Sequence, residues 1–90
     1  MPHLDAIVKG RVQGVGFRYY VCDVARRLSI KGFVRNLPDG DVEVQAEGNE
    51  QQLRQLVDYM RKGPPLSVVR DIDTTMTDAE EGFSDFNLEF

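Results

Sequence analysis

Cysteine occurs once in the 90-residue chain, at Cys22, so no internal disulfide and no cysteine-based zinc cluster can form. Histidine also occurs once, as His3, too near the N-terminus to anchor a metal site, and the expectation is chemistry without metal or cofactor. No apolar run approaches the roughly 20 residues that cross a bilayer. The N-terminus lacks a basic segment followed by an apolar stretch and a cleavage site, and on this basis the chain is expected in the cytoplasm, with no membrane partner. Two phosphate motifs are missing as well: the chain contains neither G-x-G-x-x-G nor G-x-x-x-x-G-K-[ST], which removes the dinucleotide and P-loop readings.

What the chain does contain suits a globular fold, with 41% hydrophobic and 29% charged residues. At this length it can bury one core but not two, so residues 1–90 are expected to form a single domain. The net charge of -4 is unevenly spread. Seven basic residues (Lys9, Arg11, Arg18, Arg26, Arg27, Lys31, Arg35) face one acid, Asp23, between positions 9 and 35, while none follows Arg70. A positive segment on an acidic protein suits a small anion better than a long polyanion, which the remaining surface would repel.

Periodicity divides the chain into alternating elements. Leu4, Ala6 and Val8 alternate with Asp5 and Lys9, predicting a strand that runs into Gly10. Phe17, Tyr20, Val21, Val24, Ala25 and Leu28 form one helical stripe, which assigns Tyr20 to the core, and Arg26 and Arg27 suit the last turn. Ile30 to Leu37, the turn Pro38-Asp39-Gly40 and Asp41 to Glu47 read as a β-hairpin. Asn49 with Gln52 signals the start of a second helix carrying Leu53, Leu56, Val57 and Met60 on one face, stopped by Gly63-Pro64-Pro65. Val68 to Met76 gives a fourth strand. After an acidic surface turn at Asp78 to Gly82, to which no role is assigned, Phe86, Leu88 and Phe90 alternate in a short closing strand. The order βαββαβ is that of an α+β ferredoxin-like fold: two helices on one face of an antiparallel sheet, the other face open, with a short extra C-terminal strand.

The segment Gly10-Arg11-Val12-Gln13-Gly14-Val15-Gly16-Phe17-Arg18 joins a strand directly to a helix and holds three glycines. Such a loop either turns tightly by using glycine at positive φ or aims successive backbone N–H groups inward as an anion nest. Arg18 favours the second reading. In the first turn of a helix an arginine opposes the helix dipole by roughly 0.3 to 1 kcal/mol, a conflict that a bound anion would remove. Its planar donors also match two phosphate oxygens at once. Asn36, just before the hairpin turn, fits simple turn chemistry; alternatively its carbonyl can accept a hydrogen bond from a water while its amide donates to a phosphoryl oxygen, orienting the water without titrating. Tyr19 and Tyr20 stand near the entrance of such a site. Cys22, with no histidine to accompany it, reads as packing and not as a nucleophile.

The loop from Gly10 to Arg18, together with Gly32-Phe33-Val34-Arg35-Asn36-Leu37-Pro38-Asp39-Gly40 and Val42-Glu43-Val44, resembles the acylphosphatase family over nearly the whole chain. The resemblance implies hydrolysis of an acyl phosphate to a carboxylate and inorganic phosphate. It also implies that Arg18 binds the phosphoryl group, that Asn36 orients the attacking water, and that the backbone of Gln13, Gly14, Val15, Gly16 and Phe17 completes the cradle. Two departures stand out: Ser29 where the family often has glycine after the first helix, and an acid, Glu89, in the closing strand. Two other readings share the fold. An RNA-binding module would carry aromatic residues on the open face of its central strands, and Asp41 to Gly48 has none. A non-catalytic phosphate-binding accessory domain, resembling those of hydrogenase-maturation carbamoyl transferases, would keep the cradle without turnover. The enzyme reading carries with it a monomer that binds no nucleic acid.

Overall fold

The computed structural model describes residues 1–78 and 80–90. Its elements are β1 (His3–Arg11), α1 (Phe17–Arg27), β2 (Lys31–Asn36), β3 (Val42–Glu47), α2 (Glu50–Lys62), β4 (Val68–Thr77) and β5 (Phe86–Glu89). The strands form one sheet in the order β4-β1-β3-β2-β5. The first four pair antiparallel as expected; β5 adds to β2 in the parallel direction, so the complete sheet is mixed.

Both helices lie on one face, α1 against β2 and β5 and α2 against β4. Alternation decides what they cover. Leu4, Ala6 and Val8 of β1 and Val42, Val44 and Ala46 of β3 are fully buried, meeting Phe17, Val21 and Ala25 from α1 and Leu53, Leu56 and Met60 from α2. Fully burying each large apolar side chain contributes about 1.5–3 kcal/mol. The closing strand is shorter than its alternation suggested: Phe86 is buried, but Phe90 lies beyond the end of β5 and is 96% exposed. Tyr20 also departs from its expected place. Its ring packs on Phe17 at a centroid separation of 6.3 Å, yet it is only half-buried, because its hydroxyl reaches out to donate to the Tyr59 carbonyl at 2.8 Å. Cys22 is buried and its thiol faces the Phe86 carbonyl, which also accepts from Nε and Nη2 of Arg26; the cysteine is packing.

The two helices are finished differently at their ends. α2 has a complete capping box, in which Asn49 accepts from the Gln52 amide while the Gln52 side chain accepts from the Asn49 amide, with Glu50 in the first turn and Arg61 and Lys62 in the last. α1 closes on a Schellman arrangement, with the Ser29 amide bonded to the Arg26 carbonyl and the Ile30 amide to the Ala25 carbonyl. This geometry puts Ser29 at φ 60, the one non-glycine residue at positive φ among the described residues. Replacing Ser29 by glycine relieves a left-handed conformation that costs an L-residue roughly 1–2 kcal/mol.

The face opposite the helices is partly covered, contrary to the expected open face. His3 and Glu47, opposite each other on β1 and β3, form a buried pair with Nδ1 2.8 Å from Oε2. The Glu47 carboxylate also accepts from the backbone amides of Glu81, Gly82 and Phe83, and the Phe83 ring packs on His3 and edge-on to Phe33. Of the acidic turn Asp78 to Gly82, Ala79 lies outside the described residues; the Glu81 and Gly82 end is a strap tied to this carboxylate. Burial alone pushes the Glu47 carboxyl up, but the Glu81 amide, the His3 ring and the Gly82 and Phe83 amides outweigh it and hold the carboxyl below its ordinary value of 4.5.

Two outcomes follow for stability. Ser29→Gly raises the free energy of unfolding by about 1 kcal/mol, read as a higher urea midpoint at unchanged slope. A carboxyl lowered by folding stabilises fully above its unfolded value and loses that contribution as pH falls through its folded value. Urea titrations between pH 7 and pH 3 should therefore show the parent losing stability below about pH 4.5 more steeply than Glu47→Gln, which starts about 1–3 kcal/mol less stable at neutral pH.

Candidate active site

Topology brings the sequence-predicted residues together. β1 and β2 both pair antiparallel with β3, so they run in the same direction, and β5 runs parallel to β2. Three strands therefore end at one edge of the sheet. β1 delivers the loop 12–16 and the start of α1, β2 delivers Asn36, and β5 delivers Glu89 and Phe90. At this edge Val12, Gly14, Gly16, Phe17, Arg18, Tyr19 and Asn36 line a hollow of about 130 Å³.

The loop is shaped by its glycines. Gly14 and Gly16 have φ of 73 and 80, in the left-handed region, and Val15 between them does not. Alternation of this kind forms a backbone nest whose amides converge on an anion. No neighbouring atom lies within 4 Å of where a Cβ would stand on either glycine, so conformation and not crowding selects them. Gly16 is the N-cap of α1 and offers no side-chain cap, and no acid stands in the first turn. The N–H groups at the start of this helix thus keep their partial positive charge.

Phe17 anchors the loop from below, 1% exposed in the core, while Val15 packs against the core from the side. Gln13 has a function that its sequence position does not disclose. Its side-chain amide donates to the carbonyls of Leu37 and Asp41, 2.8 Å each, bracing the loop against both arms of the hairpin turn. Those two bonds hold the loop to the strand end that carries Asn36.

Arg18 is held from two sides. Nη1 donates to the Glu89 carbonyl at 2.9 Å, and the guanidinium carbon lies 4.9 Å from the centroid of the Phe90 ring. The Glu89 acceptor is its backbone oxygen, so the acid noted in the closing strand contributes no side chain to this contact. A guanidinium has five N–H donors, and the Glu89 bond uses one. Asn36 ends β2 on the same side of the sheet as the buried Val34 and lines the hollow together with Phe17 and Arg18. Its Oδ1 is buried and has no hydrogen-bond partner among the described residues. An unsatisfied buried acceptor costs about 1–3 kcal/mol, which a water or another donor entering the hollow would recover.

Of the residues expected to form the site, Gly14, Gly16, Phe17, Arg18 and Asn36 line one hollow, whereas Gln13 and Val15 belong to the same loop without lining it. Glu89 and Phe90 were missed as supports of Arg18; only their contact across 71 residues of chain reveals them. Among the described residues no group of three His, Cys, Asp or Glu side chains is arranged to hold a metal ion, and no helix is long and apolar enough to cross a membrane.

The sequence model of the acylphosphatase family matches residues 4–88. A protein of Thermotoga maritima named acylphosphatase is 43% identical over 90 residues, spanning 100% of this chain and 99% of its own. The crystal structure of acylphosphatase from Bacillus subtilis superposes with a TM-score of 0.98 at 42% identity, covering 100% of both chains. The full-length HypF structure in its phosphate- and nucleotide-bound form contains a similar segment, with a TM-score of 0.84 at 26% identity over 100% of this chain and 12% of that one. With a family match over almost its entire length and relatives above 40% identity end to end, the chain belongs to the acylphosphatase family.

Proposed function

We propose that this chain hydrolyses acyl phosphates, with Arg18 and the amides from Gln13 to Arg18 holding the phosphoryl group and Asn36 orienting the attacking water. The observation that carries the reading is the uncapped start of α1, where Arg18 stands in a first turn already positive and beside the unpartnered Oδ1 of Asn36. A phosphoryl group there would meet the unpaired amides and the guanidinium, and a water behind it could donate to the Asn36 oxygen. Family membership and the acylphosphatase relatives support the same activity.

The chemistry asks little else of the protein. Water oxygen bonds to phosphorus as the bond from phosphorus to the carboxylate oxygen breaks, and the electron pair leaves with the carboxylate. The conjugate acid of that leaving group has a pKa near ~4, so it departs without a proton from the enzyme. The water's protons pass to phosphate and solvent. What remains is to neutralise charge on the phosphoryl oxygens and to aim the water, both of which are positioning and electrostatics. Arg18 supplies planar charged donors, the loop amides supply preorganised dipoles, and the Asn36 carbonyl accepts a hydrogen bond from the water without itself titrating. The reading calls on no metal and no cofactor.

Residues 1–90 act in this proposal as one domain, a cytoplasmic monomer that binds no nucleic acid. The single thiol, free and buried, suits a reducing compartment. The alternative of a non-catalytic phosphate-binding accessory domain is favoured by nothing at the site, where both Arg18 and Asn36 are in place.

Hydrolysis of benzoyl phosphate, followed by its ultraviolet absorbance with chelator present, separates the roles. Arg18→Ala should lose about 10³-fold or more in kcat/KM, with phosphate inhibition lost in parallel. Asn36→Ala should keep inhibition by phosphate while kcat falls about 10²-fold. Undiminished turnover by a folded Arg18→Ala protein would refute the assignment.

A further inference from the structure

On the proposed reading the hollow takes the phosphoryl end of the substrate, and its small size leaves the acyl end outside it. At about 130 Å³ it is far below the roughly 300–1,000 Å³ of pockets that enclose an organic ligand. An acyl group attached to a phosphoryl held there must project past the rim. Of the side chains that line the hollow, Val12 and Phe17 are buried and unavailable to it, and Arg18 is engaged by Glu89 and Phe90. Tyr19 differs. It lines the same hollow, directly follows Arg18, and is 65% exposed, pointing away from the stripe that buries Phe17 and Val21.

Tyr19 is thus a large aromatic ring, mostly exposed, on the lining of a small hollow. We propose that the Tyr19 ring is the platform against which the acyl group lies, so that this protein discriminates among acyl phosphates in favour of aromatic or bulky apolar acyl groups. The proposal rests on the reading of the site as an acyl phosphate hydrolase, and it adds the selectivity that the phosphoryl cradle alone cannot supply. The contribution comes from the face of the ring and not from its hydroxyl, since an apolar group gains through the area it buries and an aromatic pair adds to that. Acetyl phosphate, with a single methyl beyond the carbonyl, is too short to use it fully, whereas benzoyl phosphate presents a second ring.

The test is the ratio of kcat/KM for benzoyl phosphate to that for acetyl phosphate, measured for the parent, Tyr19→Ala and Tyr19→Phe, with circular dichroism to establish that each is folded. The ratio should fall about three- to tenfold in Tyr19→Ala and return to the parent value in Tyr19→Phe. An unchanged ratio in Tyr19→Ala, or a parallel loss on both substrates, would overturn the platform while leaving the hydrolase reading intact. Absence of turnover on both substrates by the parent would instead overturn the hydrolase reading and the platform with it.

Discussion

Everything at the site depends on one unfavourable arrangement of charge. α1 begins without a side-chain cap, without an acid in its first turn, and with an arginine where the helix dipole is already positive. A side-chain cap is worth about 0.5–2 kcal/mol to a helix, and the same chain provides one in full for α2, whose Asn49 and Gln52 satisfy each other's amides. The contrast between two helices of one small protein fits the phosphoryl site proposed at the start of α1.

Holding such a site open requires stability from elsewhere, and the fold supplies it from below and behind. Phe17 fixes the first residue of α1 in the core, Gln13 binds the loop to both arms of the hairpin turn, and the Phe86 carbonyl gathers bonds from Arg26 and Cys22 to seat β5 against α1. β5 in turn carries the Glu89 carbonyl and the Phe90 ring that orient Arg18. The strap at Glu81 to Phe83, held by the Glu47 carboxylate, lies on the segment leading into β5. The site is thus built from local conformation at the glycines and from long-range contacts around them.

That division also explains what was legible in the sequence. α2 announced itself through Asn49, Gln52 and an apolar stripe, because capping and helical period are local properties, and the same holds for the hairpin around Pro38-Asp39-Gly40. The placement of Arg18 in the first turn of a helix was legible, because the start of α1 is set by local pattern. The direction of β5 was not, since alternation of Phe86 and Leu88 says nothing about which neighbour the strand joins. The reach of Gln13 to carbonyls at 37 and 41, and the pairing of His3 with Glu47, join residues 24 to 44 positions apart and leave no local pattern. Tyr20 was read as core because its ring lies on the apolar stripe; its hydroxyl found a carbonyl on α2 that sequence spacing does not predict. Ser29 was noticed only as a departure from a resemblance, and its φ of 60 gives that departure a physical meaning.

If the loop from Gln13 to Arg18 and the end of β2 form the proposed phosphoryl cradle, inorganic phosphate binds there. Titration of the uniformly ¹⁵N-labelled protein with inorganic phosphate, followed by amide chemical shifts, tests it without any catalytic step. Saturable shifts are expected, concentrated at Gly14 to Arg18 and at the Asn36 side-chain amide and absent from a folded Arg18→Ala variant. Shifts concentrated elsewhere on the molecule, or undiminished in Arg18→Ala, would contradict it.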